Sequence, residues 1–414
     1  MKLVSHRRGR TAVPACIAIR QATRFLDRGR SGALVVGLAA ATALAVPASA
    51  SASASASKGP SPVVGHVYVN DNTKPADTIG AFDRHADGTL TAKAGSPFAA
   101  GGAGTGSGLA SQGALQFSAD GRFLIAVDAG SNQISVLRVH TDGSLSLVPG
   151  GVVSSRGTLP DSLAVHGNLV YVANSGAGHS NYTGFRLGFG GHLFHIPGST
   201  VTLASDAAPG GVLFNGTGTK LVGTEVGPSV IDSFTVGSGG RLTAAAGSPF
   251  PAQGLGPFGS EFRPAHPGQL FVSNAHNTAA DSGTVSAFKD HRNGKLSPIG
   301  GSPFPDHQMA PCWVEITQDG QFLFTVNTAS GAISAYQIAA NGALTLLPGS
   351  TPAGGPGAGA VDARLSPDGS FLYVDQSKTH AVAGFAVNGG DLTALGTSPF
   401  PLPAGAAPAG IVVS

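Results

Sequence analysis

Seven polar side chains recur at one point of a repeated pattern: Asp71, Asp128, Asn174, Glu225, Asn274, Asn327 and Gln376. Each ends a short apolar run, as Tyr171-Val172-Ala173 does before Asn174. Carboxylates and amides in this arrangement offer hard oxygen ligands of the kind Ca²⁺ prefers, and they equally suit a small polyhydroxylated ligand. The local reading is simpler: Asn and Asp at the end of a strand cap the next turn with their own side chains. Glu225 and Gln376 are poorer turn-cappers, so that reading explains them less well. Cys312-Trp313 is a second candidate. A thiol becomes a nucleophile when a neighbouring base or cation lowers its pKa, and an indole can floor a sugar or aromatic ring; both types also serve as buried packing. The histidines are scattered. With no His-Glu-x-x-His, Cys/His cluster, Gly-x-Ser-x-Gly elbow or phosphate loop, a zinc site is not expected and no cofactor other than Ca²⁺ is considered.

The elements that must position these residues are short strands. Pro311 to Ser350 reads as four of them, with turns at Gln318-Asp319-Gly320, around Thr328 to Gly331, and at Asn341-Gly342. One such meander cannot bury both of its faces, so it needs neighbours. They are present: a turn glycine followed by x-Leu recurs at Gly88, Gly143, Gly191, Gly240, Gly294, Gly342 and Gly390, with gaps of 55, 48, 49, 54, 48 and 48 residues. Four strands per period of about 50 indicate a β-propeller. The sole tryptophan, Trp313, is not part of a Trp-Asp signature. First strands precede the second in six units. The unit opening at His66-Val67-Tyr68-Val69 lacks one, while Ala409 to Ser414 at the other end of the sequence resembles one. The expected fold is therefore all-β: a seven-bladed β-propeller of four-stranded blades, closed by the C-terminal strand completing the first blade. Ser-Pro-Phe recurs at 96–98, 248–250, 302–304 and 398–400. There proline is expected to end the fourth strand and phenylalanine to wedge against the next blade.

Composition agrees with many turns: 62 Gly, 28 Pro and 11% charged residues in 414. Of 24 Lys/Arg and 22 Asp/Glu, eight bases and one acid lie in residues 1–50, so the remainder is acidic. A nucleic-acid partner is not expected. The basic head precedes the apolar run Ala33 to Pro47 and then Ala48-Ser49-Ala50. The run is short for a membrane span and fits a signal peptide cleaved after Ala50. The expected organisation is a signal peptide at 1–50, a Ser/Ala/Pro spacer at 51–62 and a propeller at 63–414, secreted, with no membrane span in the mature protein. The oligomeric state is not legible.

Gly-x-Leu turns and second strands such as Tyr171-Val172-Ala173-Asn174 resemble the seven-bladed propeller lactonases, which include 6-phosphogluconolactonase-like and carboxymuconate-cyclase-like proteins. The resemblance spans residues 64–414. It implies hydrolysis of a small lactone at the channel mouth by a Gly-Pro-Arg-His motif in the fifth blade and an Asn-Glu closing its second strand. This chain has Gly256-Pro257-Phe258-Gly259 and Asn274-Ala275 there. Lactone opening needs a general base and a donor for the developing oxyanion, and the residues that would supply them are replaced. Glu261, His276 and Glu225 are the nearest substitutes, and strand alternation can bring Glu261 to the face of Gly259. Three functions stay open: a lactonase-like hydrolase, a non-catalytic propeller binding a small molecule, glycan or protein at the same face, and a Ca²⁺-dependent lactonase.

Overall fold

The computed structural model describes residues 61–276 and 279–414. The expected signal peptide, its cleavage after Ala50 and the spacer up to residue 60 lie outside the described residues. Seven antiparallel sheets form the blades of a propeller. In blade 6 the strands run Pro311–Ile316, Phe322–Asn327, Ala332–Ile338 and Leu344–Leu346, from the channel outward. Asn327 ends the second strand opposite Ala332. Blade 1 takes its inner strand from the other end of the chain: Ile411–Val413 pairs with Val63–Asn70 through Val67↔Val413, Tyr68↔Val412 and Val69↔Ile411. Among the described residues, no helix is long and apolar enough to cross a membrane.

The outer strand differs from the expectation. It does not stop at Ser-Pro-Phe but is broken in two. In blade 1, Leu90–Ala92 pairs with Phe82 to Arg84, and Phe98–Ala99 resumes pairing with Thr78 and Ile79 of the same third strand. Each sheet therefore carries a fifth, two-residue strand. At the break the Ser Oγ satisfies a third-strand amide: Ala81 N–H donates to Ser96 Oγ at 2.9 Å, and Ser248, Ser302 and Ser398 accept in the same way. A buried amide must find a partner. Serine is what the break requires. The phenylalanine then packs into the next interface, as Phe304 does against Val314 and Tyr336 of blade 6.

The repeated turn glycines also act between blades. Tyr68 Oη–H donates to Gly143 O at 2.8 Å, Tyr171 to Gly240 O at 2.7 Å, and Tyr373 of the last blade to Gly88 O of the first at 2.8 Å. All three tyrosines are fully buried. Their rings fill the inter-blade core while their hydroxyls satisfy a turn carbonyl of the following blade. That fixes the angle between neighbouring sheets.

Candidate functional site

The inner strands converge on a central channel. At the end where the second strands close, a glycine-rich connection crosses it. Twelve residues, Ala100 to Ser111, join the outer strand of blade 1 to the register at which blade 2 begins; between blades 5 and 6, Pro305 and Pro311 are bridged by five. The extra length reaches across the channel. Ala110 packs with Phe258, Cys312 and Trp313. Trp313 Nε1–H donates to Ser111 O at 2.9 Å, and Gln112 Nε2–H donates to Val314 O at 3.0 Å. Gln112 and Val314 are 202 positions apart in sequence. This connection is a plug.

The motif positions of blade 5 lie directly beneath it. Phe258 is fully buried and meets Trp313 edge to face at 5.2 Å. A Cβ on Gly259 would fall 2.1 Å from Gln112 Oε1, 2.7 Å from Cys312 O and 3.0 Å from Trp313 Cα. Two of these neighbours are backbone, so no side chain can be restored there without moving blade 6. Ala275 is also fully buried. Cys312 and Trp313, candidates from sequence for a nucleophile and a ring floor, are 0% and 1% exposed and belong to the packed interior. The indole has no free face to offer a ring.

The seven-residue polar ring exists, but it does not line an open mouth. Asp71, Asp128, Asn174, Asn274 and Asn327 are fully buried, with Gln376 and Glu225 nearly so. Each side chain turns toward the third strand or toward the loop arriving from the preceding blade. Asp128 accepts from the Ser135 hydroxyl, and Asn327 Nδ2–H donates to Ser334 Oγ at 2.9 Å. Asn174 Nδ2–H reaches Ser155 O at 3.3 Å, and Gln376 Nε2–H reaches Ala353 O at 3.1 Å. The incoming loops sit very close: a Cβ on Gly102 would lie 2.4 Å from Asp128 Cγ. Among the described residues, no three acidic, histidine or cysteine side chains are placed to hold a metal ion.

Burial instead shifts the titration of these and neighbouring carboxyls upward. The Asp71 carboxyl is pushed up to about 7 by burial, Asp128 to about 6, and nearby Asp77 to about 8 by burial together with the charges of Asp128 and Asp71. Because the folded state binds these protons more tightly than the unfolded one, stability is greatest below the unfolded pKa near 4 and falls as pH rises toward 8. The thermal midpoint is therefore expected to be higher at pH 5 than at pH 8.5, and Asp77→Asn should flatten that slope. A midpoint that rises over this interval would contradict the assignment.

Glu225, Glu261 and His276 belong to three separate neighbourhoods. Glu225 shares a proton-linked contact with Asp232, and burial followed by the Asp232 charge pushes its carboxyl up to about 8. His276 sits in the loop after the second strand of blade 5, with Nε2 2.8 Å from Thr284 Oγ1, and burial lowers its pKa. Only Glu261 faces the channel. It borders a cavity of about 100 Å³ beneath the plug, together with Gln112, Gln116, Ser260 and Arg364. Arg364 Nη1 lies 3.2 Å from Glu315 Oε2, while Glu315 Oε1 accepts from Leu365 N–H at 2.8 Å. Glu261 Oε2 and Arg364 Nε are buried without hydrogen-bond partners. Burial, and then repulsion from Glu315, holds the Glu261 carboxyl well above its usual range, with Arg364 opposing.

Gln116, Glu315 and Arg364 were not among the residues expected from sequence. A signal for them existed. Gln116, Glu261, Glu315 and Arg364 all pair with the residue three before the end of the adjoining second strand, so they form one register around the channel. The other three blades place Ala164, Leu213 and Val412 there.

Comparison with known proteins agrees with this architecture. The family described as "Lactonase, 7-bladed beta-propeller" matches residues 67–184 and 265–412. A Bacteroides uniformis protein provisionally named a 6-phosphogluconolactonase superposes with a TM-score of 0.67 at 18% identity, covering 85% of this chain and 100% of that one. The periplasmic gluconolactonase of Pseudomonas aeruginosa gives 0.66 at 18% identity, covering 84% and 98%. A Lactobacillus plantarum protein gives 0.66 at 18%, covering 84% and 99%. At these identities the likeness is one of fold. No curated protein sequence matches the chain.

Proposed function

Since the chain belongs to the seven-bladed β-propeller lactonase family, and its mouth is closed where that family's motif stands, we propose that it is a secreted binding propeller that does not hydrolyse lactones at that mouth. The observation that carries the binding reading is the pair of unpartnered buried atoms, Glu261 Oε2 and Arg364 Nε, on residues lining one cavity. A buried polar atom left without a partner costs about 1–3 kcal/mol, so a ligand that satisfies both is favoured. With Glu261 held toward its protonated form and Arg364 paired to Glu315, the chemistry selects a neutral, hydroxyl- or amide-bearing solute. At about 100 Å³ the cavity is well under the ~300 Å³ of ordinary ligand pockets. A hexose-sized lactone is too large for it. Glycerol or acetamide is not.

The substrates named for the relatives provide the test. Gluconolactone and 6-phosphogluconolactone, incubated with the protein in Ca²⁺ and again in chelator, should open at the buffer rate. Glycerol and acetamide should give saturation-transfer NMR signals that disappear in Glu261→Leu. Lactone turnover abolished by Glu261→Gln would restore the hydrolase reading, and turnover lost only in chelator would restore the Ca²⁺-dependent one.

A further inference from the structure

At the opposite end of the propeller from the plug, blades 2 and 3 enclose a groove of about 470 Å³, lined by Ser118, Asp120, Arg122, Asn168 and Phe189 among others. Phe189 stands in the turn between the third and outer strands of blade 3 and is 87% exposed. It is nevertheless held in place: the Arg122 guanidinium lies 4.4 Å from the ring centroid and 5.3 Å from that of buried Phe123. Cation–π contact of this kind orients an exposed ring at little entropic cost. The polar groups beside it are also fixed. Arg122 Nε–H donates to Asp120 Oδ2 at 2.6 Å, the Ser118 hydroxyl donates to Asp120 Oδ1 at 2.7 Å, and Asn168 Oδ1 accepts from Arg186 Nη1 at 3.2 Å.

We infer that this groove binds a glycan of uncharged hexose units, with one pyranose stacked on Phe189. The C–H face of a pyranose is apolar and flat, which matches an exposed aromatic ring. Its hydroxyls both donate and accept, which matches a carboxylate and a guanidinium from blade 2 and an amide from blade 3 lining the same groove. Asp120 and Arg122 cancel in charge, so the groove has no preference for an acidic sugar. Its volume lies within the ~300–1,000 Å³ range of small-ligand sites and is several times that of the channel cavity. The groove shares no lining residue with the channel cavity, so the two readings stand or fall separately.

Calorimetric titration of the protein with cellohexaose, maltohexaose, laminarihexaose and chitohexaose tests this. At least one should bind saturably, and both Phe189→Ala and Asn168→Ala should weaken it by about tenfold or more. Glu261→Leu should leave that binding unchanged. Because Phe189 is exposed, its removal should not shift the thermal midpoint, which separates lost binding from lost folding. Failure of all four, or binding indifferent to Phe189→Ala, would overturn the proposal. Phe189-dependent binding that prefers polygalacturonate would overturn the assignment to uncharged sugars.

Discussion

Deletion of Ala409 to Ser414 is expected to abolish the stable fold. The segment supplies the inner strand of blade 1, where Ile411, Val412 and Val413 are at most 8% exposed. Burial of three such side chains contributes about 5–9 kcal/mol, as much as the entire 5–15 kcal/mol that holds a typical domain folded. More is lost besides apolar area. Asn70 N–H donates to Gly410 O at 2.9 Å, Ala409 N–H to Asn70 O at 3.0 Å, and the Arg84 guanidinium to Ser414 O at 3.0 and 3.2 Å. Without the strand, Val63–Asn70 becomes an open sheet edge facing the channel, a template for pairing with other chains. Differential scanning calorimetry and light scattering should show a truncated protein that aggregates below the wild-type transition. A truncation with an unshifted transition would mean that the Tyr373–Gly88 contact and the other blade 7–blade 1 packing close the ring unaided.

How the sequence relates to this architecture differs between frame and site. The frame was legible because one physical solution is repeated in six blades and varied in the seventh, where the positive φ falls on Gly389: Gly-x-Leu marks a turn whose glycine tolerates positive φ, as Gly88 at φ 82° and Gly342 at φ 86° do, and whose carbonyl in several blades receives a tyrosine from the blade before. The broken outer strand was less legible. Ser-Pro-Phe looks like an ending, and only pairing shows that serine caps a gap within one edge. The plug was hidden in a number: the 55-residue gap from Gly88 to Gly143 exceeds the usual 48 by the extra residues that cross the channel. Its contacts, Gln112 with Val314 and Ser111 with Trp313, join distant blades, and spacing along a chain does not encode distances across a ring. For the same reason Glu225, Glu261 and His276 looked like neighbours. Sequence alignment of the blades put them in one frame, whereas Asp232, the channel and Thr284 claim them separately.

Arg364→Met should cost about 3–5 kcal/mol, the usual price of leaving a buried charge without its partner. Among the described residues, Arg364 is the one cation beside Glu261, Glu315 and Asp362, and the Glu315 charge, ahead of Asp362, favours its guanidinium in the charged form. Burial raises all three carboxyls, and Arg364 opposes that rise in each. Methionine keeps most of the arginine stem, so the loss is electrostatic rather than a cavity. The remaining strain falls mainly on Glu315, whose Oε1 still accepts from Leu365 N–H and which cannot simply turn away. Arg364→Met/Glu315→Gln should therefore recover most of the loss, because a glutamine carbonyl keeps that bond without the charge, while Glu261 stays toward its neutral form and Asp362 takes up a proton. Chemical denaturation of both variants measures the coupling directly. If the double variant is no more stable than Arg364→Met, the two groups are not energetically paired, and the channel's charge balance rests on Asp362 instead. If Arg364→Met costs less than about 1 kcal/mol, the channel is wet enough to screen its charges, and a binding site built on the unpartnered atoms Glu261 Oε2 and Arg364 Nε loses its driving force.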